Sequence, residues 1–167
     1  EWIEVPDGHR GPLFELTVIA LGSESADDDV HGRAVSIGCR IAPIHAPDAL
    51  FRNEDGRSFT DVSAAAGIRT AFGNGLGVGC ADFDGDGRID IFVANDGMKN
   101  QLWQNQGAGR FVDVALAAGV AFGRRGEATS SMAVDFADFD GDGLLDLYVS
   151  DMAYSTLFLN EENRSEE

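Results

Sequence analysis

Cysteine, histidine, basic side chains and long apolar runs are all scarce in this chain of 167 residues, and each shortage excludes something. Two cysteines, Cys39 and Cys80, cannot make a disulfide framework, and neither belongs to a zinc-type pair. Cys80 lies in an apolar, glycine-rich run and reads as a buried free thiol rather than half of a bridge. The three histidines, His9, His31 and His45, lie outside the repeated parts of the chain. There is also no Gly-x-Ser-x-Gly elbow, so nucleophilic catalysis has no strong candidate. No stretch of 18 apolar residues occurs, and the longest, 12–21, is interrupted by Glu15 and Thr17, so membrane insertion is not expected. Basic residues number 12 against 29 acidic ones, a formal charge of −17 that repels nucleic acid and anionic membrane surfaces. The chain opens Glu-Trp, without a Met or a basic n-region. No signal peptide is read, and the sequence has the look of a processed or excised segment.

What is present is acid in a pattern. Residues 82–90 read Asp-Phe-Asp-Gly-Asp-Gly-Arg-Ile-Asp, and 56 positions later residues 138–146 read Asp-Phe-Asp-Gly-Asp-Gly-Leu-Leu-Asp. Carboxylates thus occupy positions 1, 3, 5 and 9 of each stretch: Asp82, Asp84, Asp86 and Asp90, then Asp138, Asp140, Asp142 and Asp146. A hard cation such as Ca²⁺ takes six to eight oxygen ligands at about 2.3–2.6 Å, and alternate residues of a tight loop can aim at one centre. Glycine at positions 4 and 6 permits the positive φ angles that curl the backbone. Four carboxylates so close repel one another unless a cation neutralises them. Two bound Ca²⁺ would bring the charge from −17 to −13. An EF-hand needs Glu at position 12 and flanking amphipathic helices. Here position 12 is Val93 or Val149, inside a compact apolar run suited to a buried strand, so the EF-hand is disfavoured. Asp27, Asp29 and His31 resemble a third, degenerate loop lacking a ligand at Val35. A plain acidic turn accounts for them equally well.

The repetition extends beyond the loops. Leu50-Phe51-Arg52-Asn53 matches Leu102-Trp103-Gln104-Asn105 and Leu157-Phe158-Leu159-Asn160. Phe-Thr-Asp-Val (59–62) matches Phe-Val-Asp-Val (111–114), and Ala65-Ala66-Gly67 matches Ala117-Ala118-Gly119. A period of 50 to 56 residues indicates a repeat architecture. Within a unit, 76–81, 89–94, 101–105 and 110–114 are short, rich in Val, Ile, Leu and Phe, and bounded by Gly, Asn and Asp, the signature of strand and turn. Another strand is expected over 13–21, and residues 61–67 suit one helical turn stopped by Gly67. The expectation is an all-β chain with four short strands per unit, the content of one β-propeller blade. Two clear blades are expected, with a degenerate one before them. The divisions are 1–47, a poorly matched segment; 48–101 and 102–160, one unit each; and 161–167, a polar tail. Glycines 73, 75, 77 and 79 lack the Gly-Lys-Ser/Thr of a phosphate loop and read as sites of close packing. Phe51, Trp103 and Phe158 occupy equivalent positions and read as core between units.

Phe72-Gly73 followed by Gly-Val-Gly-Cys-Ala-Asp-Phe-Asp-Gly-Asp-Gly resembles the FG-GAP, or VCBS, repeat of propeller proteins. The later Asn-Gln-Leu-Trp-Gln-Asn and Gly-Arg-Phe-Val-Asp-Val elements are similar to the cartilage-acidic-protein (ASPIC/UnbV-type) branch. The resemblance covers about residues 48–160. It implies one Ca²⁺ per loop, with the Arg88 and Leu144 carbonyls joining the four carboxylates of their respective loops. It departs from the family where Cys80 replaces a proline and where residues 126–135 lose most of the motif.

These readings give a non-enzymatic, Ca²⁺-binding propeller segment, extracellular or of the cell envelope, serving as a binding or adhesion scaffold. Its ligand would be a protein or carbohydrate, with no nucleic acid and no membrane insertion. Two alternatives stand beside it: part of a propeller enzyme such as a polysaccharide lyase, with structural Ca²⁺, or a module that self-associates or joins the remaining blades of a larger chain.

Overall fold

The computed structural model describes residues 18–21, 35–36, 46–53, 58–70 and 72–161. Asp27, Asp29 and the three histidines lie outside them, as does Cys39. The described chain is mostly strand. It runs β1 (Val18–Leu21), β2 (Val35–Ser36), β3 (Ala46–Pro47), β4 (Ala49–Asn53) and β5 (Phe59–Asp61), then one helical turn α1 (Ser63–Ala66). After β6 (Phe72–Gly73) come β7 (Gly75–Ala81), β8 (Asp90–Met98), β9 (Gln101–Asn105) and β10 (Phe111–Asp113). Last are β11 (Thr129–Ala137), β12 (Asp146–Asp151) and β13 (Thr156–Phe158). The strands expected over 76–81, 89–94, 101–105 and 110–114 are thus β7 to β10, with β8 running four residues further. The one turn of helix ends at Gly67, whose φ of +86° stops it.

Strands β7 to β10 form an antiparallel meander, and β11 to β13 form a second. The two join where the far end of β8 pairs with the start of β11, Ser130 opposite Asp96. Strands β4 and β5 form a hairpin beside β1, which runs parallel to β4. The registers repeat as the sequence does. Ile91 faces Trp103 and Phe92 faces Leu102; in the next meander Leu147 faces Phe158 and Tyr148 faces Leu157. The turn after the fourth strand repeats too. Ala66 N donates to Val62 O at 2.8 Å, and Ala118 N donates to Val114 O at 2.8 Å. The ladder joins β8 to β9 across position 101/102, so the hydrogen-bonded meander and the period of the sequence are differently phased.

The core explains why β8 is apolar without alternation. Ile91 and Val93 pack with Leu50, Ala66, Ile68, Trp103 and Phe111 on one side of the first meander. Phe92 and Ala94 pack with Leu102, Val120, Leu147 and Val149 on the other. A strand covered on both faces has no polar face to present. Each large side chain so buried contributes about 1.5–3 kcal/mol. Trp103 is buried as expected of a core position, while Phe51 and Phe158 are half-buried.

The glycine run belongs to this packing. A Cβ on Gly77 would lie 2.7 Å from Ala133 Cα and 2.9 Å from Met132 O, both backbone atoms of β11. One on Gly79 would crowd Val134 and Phe136 at 3.1 Å. Strands β7 and β11 therefore meet backbone to backbone at Gly77, and β11 side chains cover Gly79. Gly77→Ala should destabilise the fold by about 1–3 kcal/mol through overpacking. A urea midpoint equal to that of the parent would refute this contact.

One buried carboxyl is poorly served. Asp48, just before β4, is almost wholly buried, and its Oδ2 has no hydrogen-bond partner. Burial pushes its pKa up to about 7; the nearby Trp103 indole offsets part of that and the Asp113 charge adds to it. The indole does not form a hydrogen bond with it, since Trp103 Nε1 is also left without a partner. The folded state holds this proton more tightly than the unfolded chain, whose value is near 3.8. Stability should therefore fall as pH rises from about 4 to about 7 and stay lower above that, by a few kcal/mol at most. Asp48→Asn should flatten this segment of the curve and melt higher than the parent above pH 7. Parallel pH–stability curves for the two proteins would show that Asp48 is not responsible.

Candidate metal centres

The two acidic stretches are the connections β7–β8 and β11–β12. Each leaves one strand, curls through two left-handed glycines and enters the next. Gly85 and Gly87 have φ of +72° and +84°, and Gly141 and Gly143 have +81° and +93°. An added Cβ meets nothing within 4 Å at any of these four, so backbone conformation alone requires glycine.

The side chains then brace the curl in the same way twice. Asp82 Oδ1 accepts from Asp86 N at 3.0 Å and its Oδ2 from Gly87 N at 2.9 Å. Asp138 Oδ1 accepts from Asp142 N at 3.1 Å and its Oδ2 from Gly143 N at 3.0 Å. Asp86 Oδ1 accepts from Arg88 N at 2.8 Å, as Asp142 Oδ1 does from Leu144 N at 2.9 Å.

Position 9 plays a different part. Asp90 and Asp146 are fully buried at the first residues of β8 and β12. Asp90 Oδ1 accepts from Asn105 N at 2.7 Å and its Oδ2 from Phe83 N at 3.2 Å. Asp146 repeats this with Asn160 N at 2.9 Å and Phe139 N at 2.8 Å. Each carboxylate thus ties the start of its loop to the end of the third strand of its meander, at Asn105 in β9 and at Asn160 two residues past β13. Burial pushes Asp90 up to about 6; the two backbone N–H groups work against that shift, and the Asp84 and Asp86 charges add to it.

In the first loop, Asp82, Asp84 and Asp86 each bring one oxygen within 4.8 Å of the others. In the second, Asp138, Asp140 and Asp146 do so. Asp90 and Asp142 stand outside these groups. Oxygens about 5 Å apart or less fit a cation that binds each at about 2.3–2.6 Å, and the donors are all hard. The residues present therefore suit a Ca²⁺-like ion.

The loops differ in their neighbours. The Arg88 guanidinium pairs with Asp86 and donates through Nε to Asn105 O at 2.7 Å. Gln104 Nε2 donates to Asp84 Oδ2 at 2.5 Å. The second loop has Leu144 and Leu159 at the corresponding positions, with no such partners to offer. Cys80, just before the first loop, is a free thiol pushed up to about 12 by burial and the Asp90 charge. A neutral thiol of this kind is neither a nucleophile nor a metal ligand.

Asn105 and Asn160 are site residues that spacing did not single out. Asn105 Nδ2 donates to Ile89 O at 3.0 Å, and its Oδ1 accepts from Gly107 N at 2.9 Å. Asn160 Nδ2 donates to Leu145 O at 3.3 Å and to Phe83 O at 2.8 Å, the latter in the first loop. The signal was available: Asn closes the Leu-aromatic-x-Asn element each time it recurs.

Residues 82–149, which hold both loops, match the model of the FG-GAP-like repeat. Over a longer span the chain is similar to cartilage acidic protein 1. It is 28 % identical to the mouse (Mus musculus) protein over 156 residues, covering 86 % of this chain and 24 % of that protein. With the human protein (Homo sapiens) it shares 28 % over 159 residues, covering 86 % and 23 %. With that of Xenopus tropicalis it shares 30 % over 175 residues, covering 89 % and 26 %. The chain spans about a quarter of the length of these curated relatives.

Asn160→Ala would leave Phe83 O and Leu145 O without this donor, and should cost about 1–3 kcal/mol in chemical unfolding. A loss below about 0.5 kcal/mol would show that this cross-link between the loops carries no weight.

Proposed function

We propose that this chain is a non-enzymatic, Ca²⁺-stabilised segment of a β-propeller, acting as an extracellular scaffold for binding or adhesion. The observation that carries the reading is the same set of backbone-to-carboxylate bonds made in two loops 56 residues apart. A loop kept only for solubility has no need of one internal geometry twice. The ligand sets are Asp82, Asp84, Asp86 and Asp90 with the Arg88 carbonyl, and Asp138, Asp140, Asp142 and Asp146 with the Leu144 carbonyl. A bound ion supplies positive charge to crowded carboxylates and fixes each turn. Of the sequence units, 48–101 and 102–160 each carry one such loop.

The meander of β7 to β10, packed on both faces, has the strand content of one blade. Among the described residues no helix is long and apolar enough to cross a membrane. Loops of modest affinity fill in extracellular millimolar calcium and stay empty in the cytosol. Relatives named for cartilage support the same compartment. The scaffold's ligand is a protein or carbohydrate bound elsewhere on the assembled surface. A catalytic metal needs an open position and a neighbouring base. The one thiol beside the loops is held neutral.

Chelation should lower the melting temperature, because an ion held only by the folded state at 100 times its Kd stabilises it by about 2.7 kcal/mol. Calorimetric titration should show two Ca²⁺ sites in the parent and one in Asp86→Ala. An unchanged melt in EDTA, or two full-affinity sites in the variant, would remove calcium from the account.

A further inference from the structure

The two loops share one internal geometry but not one charge. At position 7 the first loop carries Arg88, whose N donates to Asp86 Oδ1 at 2.8 Å. Its guanidinium pairs with the other oxygen of the same carboxylate, and its Nε donates to Asn105 O at 2.7 Å. Asp86 is thus engaged from main chain and side chain, and the cation is tethered by the end of β9. Gln104 Nε2 donates to Asp84 Oδ2 at 2.5 Å, and Gln106 Nε2 donates in turn to Gln104 Oε1 at 2.8 Å. Of the three converging aspartates, Asp82, Asp84 and Asp86, the last two therefore already have a side-chain donor. The second loop carries Leu144 at position 7. Among the described residues no cation pairs with any of its four aspartates. Position 7 lies inside each loop, between described strands, so the contrast belongs to the loops and not to the ends of the chain.

We infer that Arg88 is a built-in counter-cation that makes the first loop the weaker Ca²⁺ site, so that the loops fill in order, the second before the first. The inference rests on the calcium reading of both loops. An ion entering the first loop meets a carboxylate already neutralised, and a positive charge that Asn105 O keeps beside it. An ion entering the second meets four aspartates and no opposing charge. The Arg88 side chain is 45 % exposed, so water screens the repulsion. A divalent ion and a guanidinium sharing one solvated carboxylate still repel by an amount worth roughly a tenfold change in affinity. Between the two dissociation constants the chain carries one ion, held by the loop between β11 and β12. With no ion bound, Arg88 relieves part of the repulsion among the first loop's aspartates, so that loop depends less on calcium for its shape.

A Ca²⁺ titration followed by proton–nitrogen NMR tests this. The amides of Gly87 and Gly143, each bonded to the first aspartate of its own loop, read the two loops separately. In the parent, Gly143 should reach its midpoint at about tenfold lower calcium than Gly87. Arg88→Leu should move the Gly87 midpoint down to that of Gly143, whereas Arg88→Lys, which keeps the charge, should leave it high. Leu144→Arg should move the Gly143 midpoint up by about tenfold. Arg88→Gln takes the place of Arg88→Leu if the latter unfolds. Parent midpoints within about twofold of each other, or Gly87 responding first, would overturn the inference. So would a Gly87 midpoint that Arg88→Leu leaves unchanged or raises, one that Arg88→Lys lowers equally, or a Gly143 midpoint indifferent to Leu144→Arg. Each of those results leaves two calcium sites in place. A titration to which neither amide responds removes the calcium reading and the inference together.

Discussion

The structure depends on a carboxylate that has been taken out of water and given two backbone donors. Asp90 and Asp146 sit where a loop becomes a strand, and each holds the loop's entrance to a residue at or just past the end of the third strand of its meander. Without that bracket, the curl through the glycines would have no fixed relation to the sheet. With it, three aspartates of each loop are carried to one place, and the apolar strand that follows starts in register. The motif therefore does two jobs: it gathers charge, and its last residue also organises the fold. The buried position costs Asp90 some of its acidity, and its two donors recover part of that.

The second constraint is double-sided burial. Because β8 lies between two cores, its side chains from 91 to 94 are all apolar, and the polar work moves to the loops and the strand ends. Asp113 shows how the ends are finished. Its Oδ1 accepts from Leu102 N and Ala115 N, and its Oδ2 meets Lys99 Nζ at 2.7 Å. In the preceding unit Asp61 and Ser63 share the same task, with Leu50 N donating to Ser63 Oγ. The Asp of the Phe-x-Asp-Val element is thus a turn cap that also holds the third strand.

Much of this could be read in the sequence because the chain repeats itself. Strand identity followed from short apolar runs between Gly, Asn and Asp, and the fit for β9 was residue for residue. The length of β8 could not be read, because its last residues, through Asp96 and Gly97 to Met98, look like a turn and act as a joint with β11. The strand β11 was obscured for a related reason: residues 126–135 have lost the family motif while keeping its backbone role. At the metal loops the aspartates were plain. The asparagines that fasten them were not, since their carbonyl partners are distant in sequence, and Asn160 reaches Phe83 across 77 positions. The strain at Asp48 was equally hidden, because it depends on what closes over it.

The glycine contact between β7 and β11 also sets a shape. On that side the two meanders touch backbone to backbone at Gly77 and Ala133. On the other side Leu102, Phe136, Leu147 and Phe158 stand between them and line an open pocket of about 390 Å³, which Asn160 and Glu161 also border. The layer between the sheets is therefore a wedge, thin at the inner strands and thick at the outer ones. Wedges stacked in one sense turn the stack about an axis beside the thin edge, so curvature is written into the size of a single side chain. A larger residue at position 77 would open the thin edge and straighten the stack.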